Sequence, residues 1–301
     1  MTAPENDPVA RNCPACNSSK GRKQGRKNDF DILVCGSCGT LYTQTLPTLS
    51  TSQDYDAYYG VENLSVPEFI KRRLDEIVSD FEPYRRTNRL LDIGCGAGSV
   101  LEAARKAGWK AEGVEISRPA VDHVRAAGFE AFCGELTEAR YPTGHFDVVT
   151  ASELLEHVPE PGHLVSEVAR ILRPGGLWWA TTPHSKGASG QLLKLDWSVI
   201  SPPEHLHLFS ARGLQGLLLS HGFRRVRIKT EGVNTIELLR RARGRSISNN
   251  DKSEGFDRVR TSYQLNEALV SSAPRRAVKD VLNGLLRVSR LGDSLKVWAE
   301  R

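Results

Sequence analysis

Residues 89–108, RLLDIGCGAGSVLEAARKAG, decide the fold. The first residues are apolar and predict a buried strand, which Gly94, Gly96 and Gly98 interrupt before apolar residues continue at helical spacing. Glycines let a ligand approach the backbone closely, and the N-terminus of the helix offers unpaired N–H groups to an anion. The segment therefore predicts the strand, ligand-binding turn and helix that begin a doubly wound α/β domain.

The next segment, KAEGVEIS at residues 110–117, predicts a second strand that ends in Glu115. A carboxylate about 20 residues beyond a glycine turn can accept hydrogen bonds from both ribose hydroxyls of an adenosine group, so the spacing predicts a nucleoside site. The turn differs from a dinucleotide-binding fingerprint, because Ser99 occupies the third glycine position. Asp92, just before the turn, suits a cationic ligand better than a pyrophosphate.

Four motifs in this order resemble those of class I S-adenosylmethionine-dependent methyltransferases: LLDIGCGAG, VEIS, FDVVTASELLEHVPEP and LRPGGLWWATTP. The resemblance covers roughly residues 88–230. It implies a Rossmann-like, seven-stranded sheet, S-adenosylmethionine as cofactor and methyl transfer as the reaction. The sixth and seventh strands are expected at FRRVRIKT and at DSLKVWAE.

The resemblance also implies roles for individual residues. The three glycines would line the methionine end of the cofactor with Asp92 nearby, Glu115 would hold the ribose, and Ile116 would flank the adenine. Glu135, followed by Leu136, stands where the family often places an acid against the adenine amino group. Ser152, at the end of the fourth predicted strand, is expected at the same edge of the sheet, with capping of the next turn as its alternative role.

Methyl transfer needs an acceptor atom held about 3 Å from the methyl carbon and a group that removes its proton. The candidates follow successive predicted strands: Glu153, His157, His184, His205 and His207. In an extended PEHLHLF segment, two-residue periodicity places His205 and His207 on a polar side, opposite two leucines. Two alternatives stay open: a histidine pair that binds a metal with Glu153 or Glu156, and histidines that make only structural hydrogen bonds.

A zinc ribbon is predicted over residues 13–40. Two CxxC pairs, about 18 residues apart, have the spacing of a tetrahedral four-cysteine zinc site, with Cys13, Cys16, Cys35 and Cys38 as ligands. The segment between the pairs is too polar for a core, so the sequence predicts that only a metal holds it in one conformation. A basic run between the pairs could contact nucleic acid, or could simply be a solvated loop.

The remaining chain is divided by composition. Residues 1–12 are expected to be disordered, and residues 41–87 to form a linker and a lid helix that follows Tyr55, Tyr58 and Tyr59. The methyltransferase domain would occupy residues 88–301, with a helical insertion at about 232–290 covering the substrate mouth.

Composition indicates the general class of protein. The net charge is only +5, and six cysteines in a chain of 301 residues do not indicate a disulfide framework. No stretch approaches the roughly 18 apolar residues of a membrane span, and the first ten residues lack a signal-peptide pattern, so a cytoplasmic protein is expected.

The leading hypothesis is O-methylation of a small metabolite or glycan precursor, because PPEHLHLFS and the predicted helix after it resemble the small-molecule branch of the family. The (D/N)PP(Y/F) motif of amino methyltransferases is absent, since that position reads ASEL. An RNA methyltransferase that uses the ribbon to recognise its target, and a non-catalytic interaction protein, are the alternatives. The oligomeric state is not predicted.

Overall fold

The computed structural model describes residues 11–47, 67–242, 284, 286 and 288–301. Three predictions fall outside those residues: the disorder of residues 1–10, the tyrosine segment, and most of the helical insertion. The helices are α1 (Glu68–Ser79), α2 (Ser99–Lys106), α3 (Arg118–Ala126), α4 (Pro161–Ile171), α5 (Ala188–Leu193), α6 (Ala211–Ser220) and α7 (Thr235–Ala242). The strands are β1 (Gly21–Lys27), β2 (Phe30–Cys35), β3 (Leu41–Thr43), β4 (Arg89–Ile93), β5 (Lys110–Glu115), β6 (Glu130–Cys133), β7 (Phe146–Ser152), β8 (Leu172–Pro183), β9 (His207–Leu208), β10 (Arg225–Glu231) and β11 (Ser294–Glu300).

The large sheet has seven strands in the order β10-β11-β8-β7-β4-β5-β6. Five neighbouring strands run parallel to one another: β6, β5, β4, β7 and β8. Strand β11 pairs antiparallel with both β8 and β10. The chain leaves β4 towards β5 on one side and returns to β7 on the other, which makes the carboxyl end of β4 the switch point where open α/β sheets bind ligands. The predicted fold class is confirmed, including the sixth and seventh strands.

The central strands are apolar on both faces because helices cover both. Leu90, Leu91, Val148 and Val149 have no exposed surface, as expected of parallel strands enclosed between two helical layers. Asp147 lies among them: its carboxylate accepts the backbone N–H of Asn88 at 2.7 Å and an Arg173 hydrogen bond at 2.5 Å. Burial alone would raise the pKa of Asp147, but these donors outweigh burial and lower it.

Helix α1 begins at Glu68, directly after Pro67, and packs on α2 and the sheet. Val78 and Phe81 are buried in one cluster with Leu90 and Trp179, and Lys71 pairs with Glu102 of α2 at 3.2 Å. These contacts attach α1 to the helical layer beside the glycine turn.

The N-terminal ribbon is part of a four-stranded sheet, β1-β2-β3-β9, whose last strand comes from the methyltransferase domain. Leu41–Thr43, expected to begin a linker, forms strand β3 and pairs with β9. Arg11, expected to be disordered, donates hydrogen bonds to the carbonyl of Leu206 at 2.7 Å and to that of Thr43 at 3.0 Å.

The prediction that only a metal holds the ribbon is therefore wrong. Lys27, on the basic run, donates hydrogen bonds to the carbonyls of Leu195 at 2.7 Å and Trp197 at 3.0 Å. Cys13, Cys35 and Tyr42 belong to the same buried cluster as the strands of the large sheet. Composition between the cysteines does not reveal this, because the apolar partners lie in the other domain.

Gly213 in α6 lies directly against the ribbon. A Cβ atom there would clash with the Thr40 hydroxyl and lie 3.1 Å from Cys38 Sγ, whereas a Cβ at Gly216 would meet nothing within 4 Å. We expect Gly213→Ala to lower the free energy of unfolding by about 1–3 kcal/mol through overpacking. Gly216→Ala should raise it by up to about 1 kcal/mol through helix propensity. Denaturant unfolding of the two variants checks this; equal effects would contradict the close docking.

Candidate active site and cysteine cluster

The glycine turn and the end of β5 are joined by one carboxylate. Glu115 accepts the backbone N–H of Gly96 at 3.0 Å with Oε2 and that of Ser117 at 3.0 Å with Oε1. Gly94, Gly96 and Gly98 all have positive φ, which favours glycine in this turn. Each Glu115 oxygen has further lone-pair capacity, so the carboxylate can accept two hydroxyl donors while it holds the turn.

Asp92 lies beneath this turn, 3% exposed, and accepts a 2.6 Å hydrogen bond from the hydroxyl of Thr150. Burial raises the pKa of the Asp92 carboxyl to about 7, although the Thr150 hydrogen bond opposes the shift and the Glu115 charge adds to it. A cationic ligand beside the turn would favour the ionised form. The two carboxylates thus suit a nucleoside that also carries positive charge.

The other residues expected at the cofactor follow the neighbouring strands. Ile116 is half-buried directly after β5, and Leu136 is buried after β6. Glu135 is exposed, and its backbone N–H donates to Glu138 at 2.7 Å. Ser152 ends β7, where its hydroxyl lies 3.0 Å from that of Thr181. The sheet brings all four to the edge that carries the glycine turn.

Two glutamates follow β7 on the same edge. Glu153 is exposed and has φ of 49°, a left-handed conformation that is uncommon outside glycine and concentrates at functional sites. Glu156 is 1% exposed, and its Oε2 accepts the Thr182 hydroxyl at 2.9 Å. Desolvation raises the pKa of the Glu153 carboxyl, although hydrogen bonds to Thr181 and Glu156 oppose the shift. Burial and the Glu153 charge raise the pKa of Glu156.

His157 and His205 lie beside Glu156. Their ring centroids are 4.7 Å apart. Burial lowers the pKa of His157 to about 4, assisted by His205, while the hydrogen bond to the Glu204 carbonyl acts in the other direction. Both rings are therefore neutral at neutral pH, since burial also lowers the pKa of His205.

His184 and His207 occupy different environments. His184 is 2% exposed and lies 2.9 Å from the Gly292 carbonyl through Nδ1. His207 is 1% exposed, lies 2.9 Å from the Leu155 carbonyl, and has its pKa lowered by burial to about 3. The expected polar side of the PEHLHLF segment is therefore wrong for His207, because the pairing of β9 with the ribbon buries both faces of this short strand.

The four cysteines of the ribbon come together. Cys13 and Cys38 have their Sγ atoms 3.6 Å apart, as do Cys16 and Cys35, and all four Sγ atoms lie within 4.8 Å of one another. A tetrahedral zinc ion with Zn–S bonds of about 2.3 Å needs sulfurs about 3.8 Å apart. The donor set and spacing therefore fit zinc.

Sequence reasoning missed several polar residues of the site. Its carboxyl and hydroxyl groups are oriented by Thr150, Thr181 and Thr182. In the sequence, only their positions near the ends of β7 and β8 could have indicated this role. Ser117, the residue after Ile116, has a buried hydroxyl without a hydrogen-bond partner among the described residues. It belongs to the VEIS motif, where the sequence predicts only the glutamate and the isoleucine to act.

Comparison with known proteins defines the class. A methyltransferase-domain family model matches residues 66–228, more than half of the chain. The chain therefore belongs to this family.

Among curated proteins, a ubiquinone biosynthesis O-methyltransferase of Ralstonia nicotianae is 39% identical over 113 residues, 35% of this chain and 47% of the relative. The corresponding protein of Burkholderia thailandensis is 32% identical over 151 residues, 42% of this chain and 64% of the relative. The chain thus spans about half the length of the curated relatives it matches.

Solved structures support the fold. A SAM-dependent methyltransferase from Archaeoglobus fulgidus has a TM-score of 0.54 at 21% identity, covering 82% of this chain and 100% of that one. Haemonchus contortus phosphoethanolamine N-methyltransferase 2, solved with S-adenosyl-L-methionine, has a TM-score of 0.52 at 16% identity, covering 93% and 70% of the two chains. Within the described part of this chain, the helices are too short or too polar to cross a membrane.

Proposed function

We propose that this protein transfers a methyl group from S-adenosylmethionine to a hydroxyl of a small metabolite. One observation carries the proposal: Glu115 is hydrogen-bonded to the glycine turn at the switch point, and Glu153 follows β7 on the same edge of the sheet. A nucleoside held by the first group would present its reactive end towards the second.

The cofactor would be held by backbone and carboxylates. Glu115 would accept the two ribose hydroxyls, the three glycines would line the methionine end, and Asp92 would balance its positive charge. Ile116 and Leu136 would flank the adenine, and Glu135 would reach its amino group. When bound, the sulfonium supplies the methyl group, and the electron pair of the breaking C–S bond stays on sulfur.

Glu153 is the proposed proton acceptor. Of the five candidates, His184 and His207 are almost completely buried, so an acceptor hydroxyl has no access to them. Glu153 is exposed directly after β7, and His157 and His205 lie beside Glu156, three residues further along the chain. Glu153 would take the hydroxyl proton as the oxygen forms its bond to the methyl carbon, since in-line displacement needs little beyond positioning and proton removal.

The acceptor is proposed to be a small hydroxylated metabolite. This rests on the relatives named as ubiquinone biosynthesis O-methyltransferases, of which only part is matched. RNA is less well supported, because the basic run of the ribbon is partly occupied: Lys23 pairs with Asp31 at 2.6 Å, and Lys27 is bound to the main domain.

The cysteine cluster is proposed to bind structural zinc. Four thiolates fill a tetrahedral site, so no position remains open for chemistry. Zinc would also neutralise thiolates that lie too close together to ionise without a cation. Because the ribbon sheet includes β9, the metal would stabilise the segment that carries His205.

Two glutamate variants separate cofactor binding from catalysis. Glu115→Ala should weaken S-adenosylmethionine binding by about 100-fold or more, because it removes the ribose acceptor and the brace of the turn. Glu153→Gln should bind the cofactor normally but lower kcat by about 10²–10⁴-fold, the usual contribution of a general base. Calorimetry and S-adenosylhomocysteine formation with hydroxylated acceptors measure the two effects. Absence of S-adenosylmethionine binding by the folded parent protein would refute the proposed function.

Loss of zinc can be tested at the most exposed ligand, Cys16. Cys16→Ser should abolish zinc retention after dialysis and increase hydrogen exchange in β1, β2 and β9, because the ribbon sheet loses its metal. Cys133→Ser, outside the cluster, is the matched control and should keep the metal. Atomic spectroscopy and exchange mass spectrometry provide the readouts; a parent protein free of zinc, or a variant that retains it, would refute the assignment.

A further inference from the structure

We propose that a basic cleft at the amino edge of the large sheet binds a phosphate-bearing small molecule, at a site separate from that of the cofactor. The cleft has a volume of about 610 Å³, within the range of small-molecule sites. It lies between helix α4, the turn after α6 and the first residues of β8. Three arginines line it, Arg170, Arg224 and Arg301, and none of the described lining residues is an aspartate or a glutamate.

The cleft and the glycine turn lie at opposite edges of the sheet. Thr181, near the end of β8, has its hydroxyl 3.0 Å from that of Ser152 at the carboxyl edge. Pro174, which lines the cleft, lies in an irregular part of β8 before Leu177. At about 3.3 Å per residue, the strand from Leu177 to Thr181 spans about 13 Å, and Pro174 lies beyond it. A ligand in the cleft would therefore not overlap the proposed cofactor site.

Arg301 is held in place by the start of β8. Its backbone N–H donates to the Gly176 carbonyl at 3.0 Å, and the Gly175 N–H donates to the main-chain oxygen of Arg301 at 2.9 Å. Its Nη1 group donates to the carbonyls of Arg170, at 3.2 Å, and of Leu172. A guanidinium has five N–H donors, and contacts within the described chain use only those on Nη1. The group is thus positioned, with donors on Nε and Nη2 left for a ligand.

The three arginines contribute unequally to the charge of the cleft. Glu167 offsets the charge of Arg170, because it accepts hydrogen bonds from Nε at 2.7 Å and from Nη2 at 2.6 Å. Arg224 is exposed, and its backbone N–H donates to the Glu300 carbonyl at 2.8 Å. No side-chain carboxylate in the described parts of the chain pairs with Arg224 or Arg301. These two guanidiniums therefore give the cleft its positive charge.

A histidine and a serine add polar groups to the walls. His221 Nδ1 lies 2.8 Å from the Leu217 carbonyl. Since a carbonyl only accepts hydrogen bonds, Nδ1 carries a proton, and Nε2 can accept a hydrogen bond or donate one when the ring is protonated. Ser166, exposed on α4, supplies a hydroxyl. The cleft thus combines two guanidiniums with neutral polar groups, a combination that suits an oxyanion.

The chemistry and size of the cleft indicate the class of ligand. Guanidinium groups bind phosphate through two parallel N–H···O hydrogen bonds. A cleft lined by one sign of charge, with protein walls of low dielectric constant, also raises the local concentration of counterions. Its volume exceeds that of one phosphate group. The expected ligand is therefore a diphosphate or a phosphate ester of a small molecule.

Calorimetric titration of the full chain with pyrophosphate tests the site, because this probe lacks the nucleoside that the cofactor site would bind. In phosphate-free buffer without divalent cations, the parent should bind one equivalent. Arg224→Ala should weaken binding by about 10–100-fold, the range expected for loss of a charge-assisted hydrogen bond. Arg225→Ala is the matched control and should bind as the parent does, since Arg225 is exposed, pairs with Glu300 at 3.2 Å and does not line the cleft.

A second pair of variants tests the opposite wall. Ser166→Asp places a negative charge in the cleft and should weaken pyrophosphate binding by at least about 10-fold through repulsion of the anion. His163→Asp, at an exposed position of α4 outside the cleft, should leave the affinity unchanged. Because both positions are exposed, this pair keeps the test valid if Arg224→Ala fails to fold.

Inorganic phosphate distinguishes the two sources of the ligand chemistry. It should bind at least about 10-fold more weakly than pyrophosphate if both Arg224 and Arg301 contact the ligand. Equal affinities would assign the cleft to a single inorganic phosphate and overturn the larger ligand.

No pyrophosphate binding by the folded parent would overturn the site. Equal losses in Arg224→Ala and Arg225→Ala would also overturn it, because they would mean a general attraction of anions to the surface. Single-stranded RNA that binds more tightly than pyrophosphate, and is lost in both variants, would assign these arginines to a nucleic-acid surface instead. Pyrophosphate binding is measured without S-adenosylmethionine, so the result does not depend on the proposed function.

Discussion

The hydrogen bonds from the backbone of Gly96 and Ser117 to the carboxylate of Glu115 are the interaction on which the site depends. They join the turn after β4 to the end of β5, across the switch point of the sheet. A glycine turn with positive φ at three positions has little intrinsic preference for one conformation. One buried carboxylate therefore holds the turn and keeps lone pairs for further donors, which we propose are ribose hydroxyls.

A second constraint comes from the N-terminal ribbon. The ribbon shares its sheet with β9, and its Cys38 packs against α6 at Gly213. The segment that leads into β9 carries His205 and is attached to Glu156 through the backbone of Leu206. The ribbon is thus connected through β9 to the segment that contacts Glu156, which links the cysteine cluster structurally to the proposed active site.

The succession of strands and helices, and the residues near which they begin and end, could be predicted from the sequence because the patterns that indicate them are local. The apolar run of β4, the glycines and Glu115 lie within about 25 residues, and periodicity and turn chemistry act at that range. The alternating FRRVRIKT and the final DSLKVWAE were recognisable as strands for the same reason.

The remaining features depend on contacts between distant segments. His205 meets His157 although 47 residues separate them, and no local pattern encodes that approach. Burial of His207 follows from the pairing of β9 with β3, a partner more than 160 residues away. The sequence did not predict the docking of the ribbon because its apolar partners belong to the other domain. The composition of residues 13–40 does not indicate those partners.

A crystal structure of the protein with S-adenosylhomocysteine tests the central claim most directly, because it locates the cofactor relative to both groups of side chains. The account predicts ribose hydroxyls within hydrogen-bond distance of Glu115, and a sulfur atom that faces Glu153 across the ends of β4 and β7. A cofactor bound elsewhere, or one whose sulfur faces away from Glu153, would contradict it.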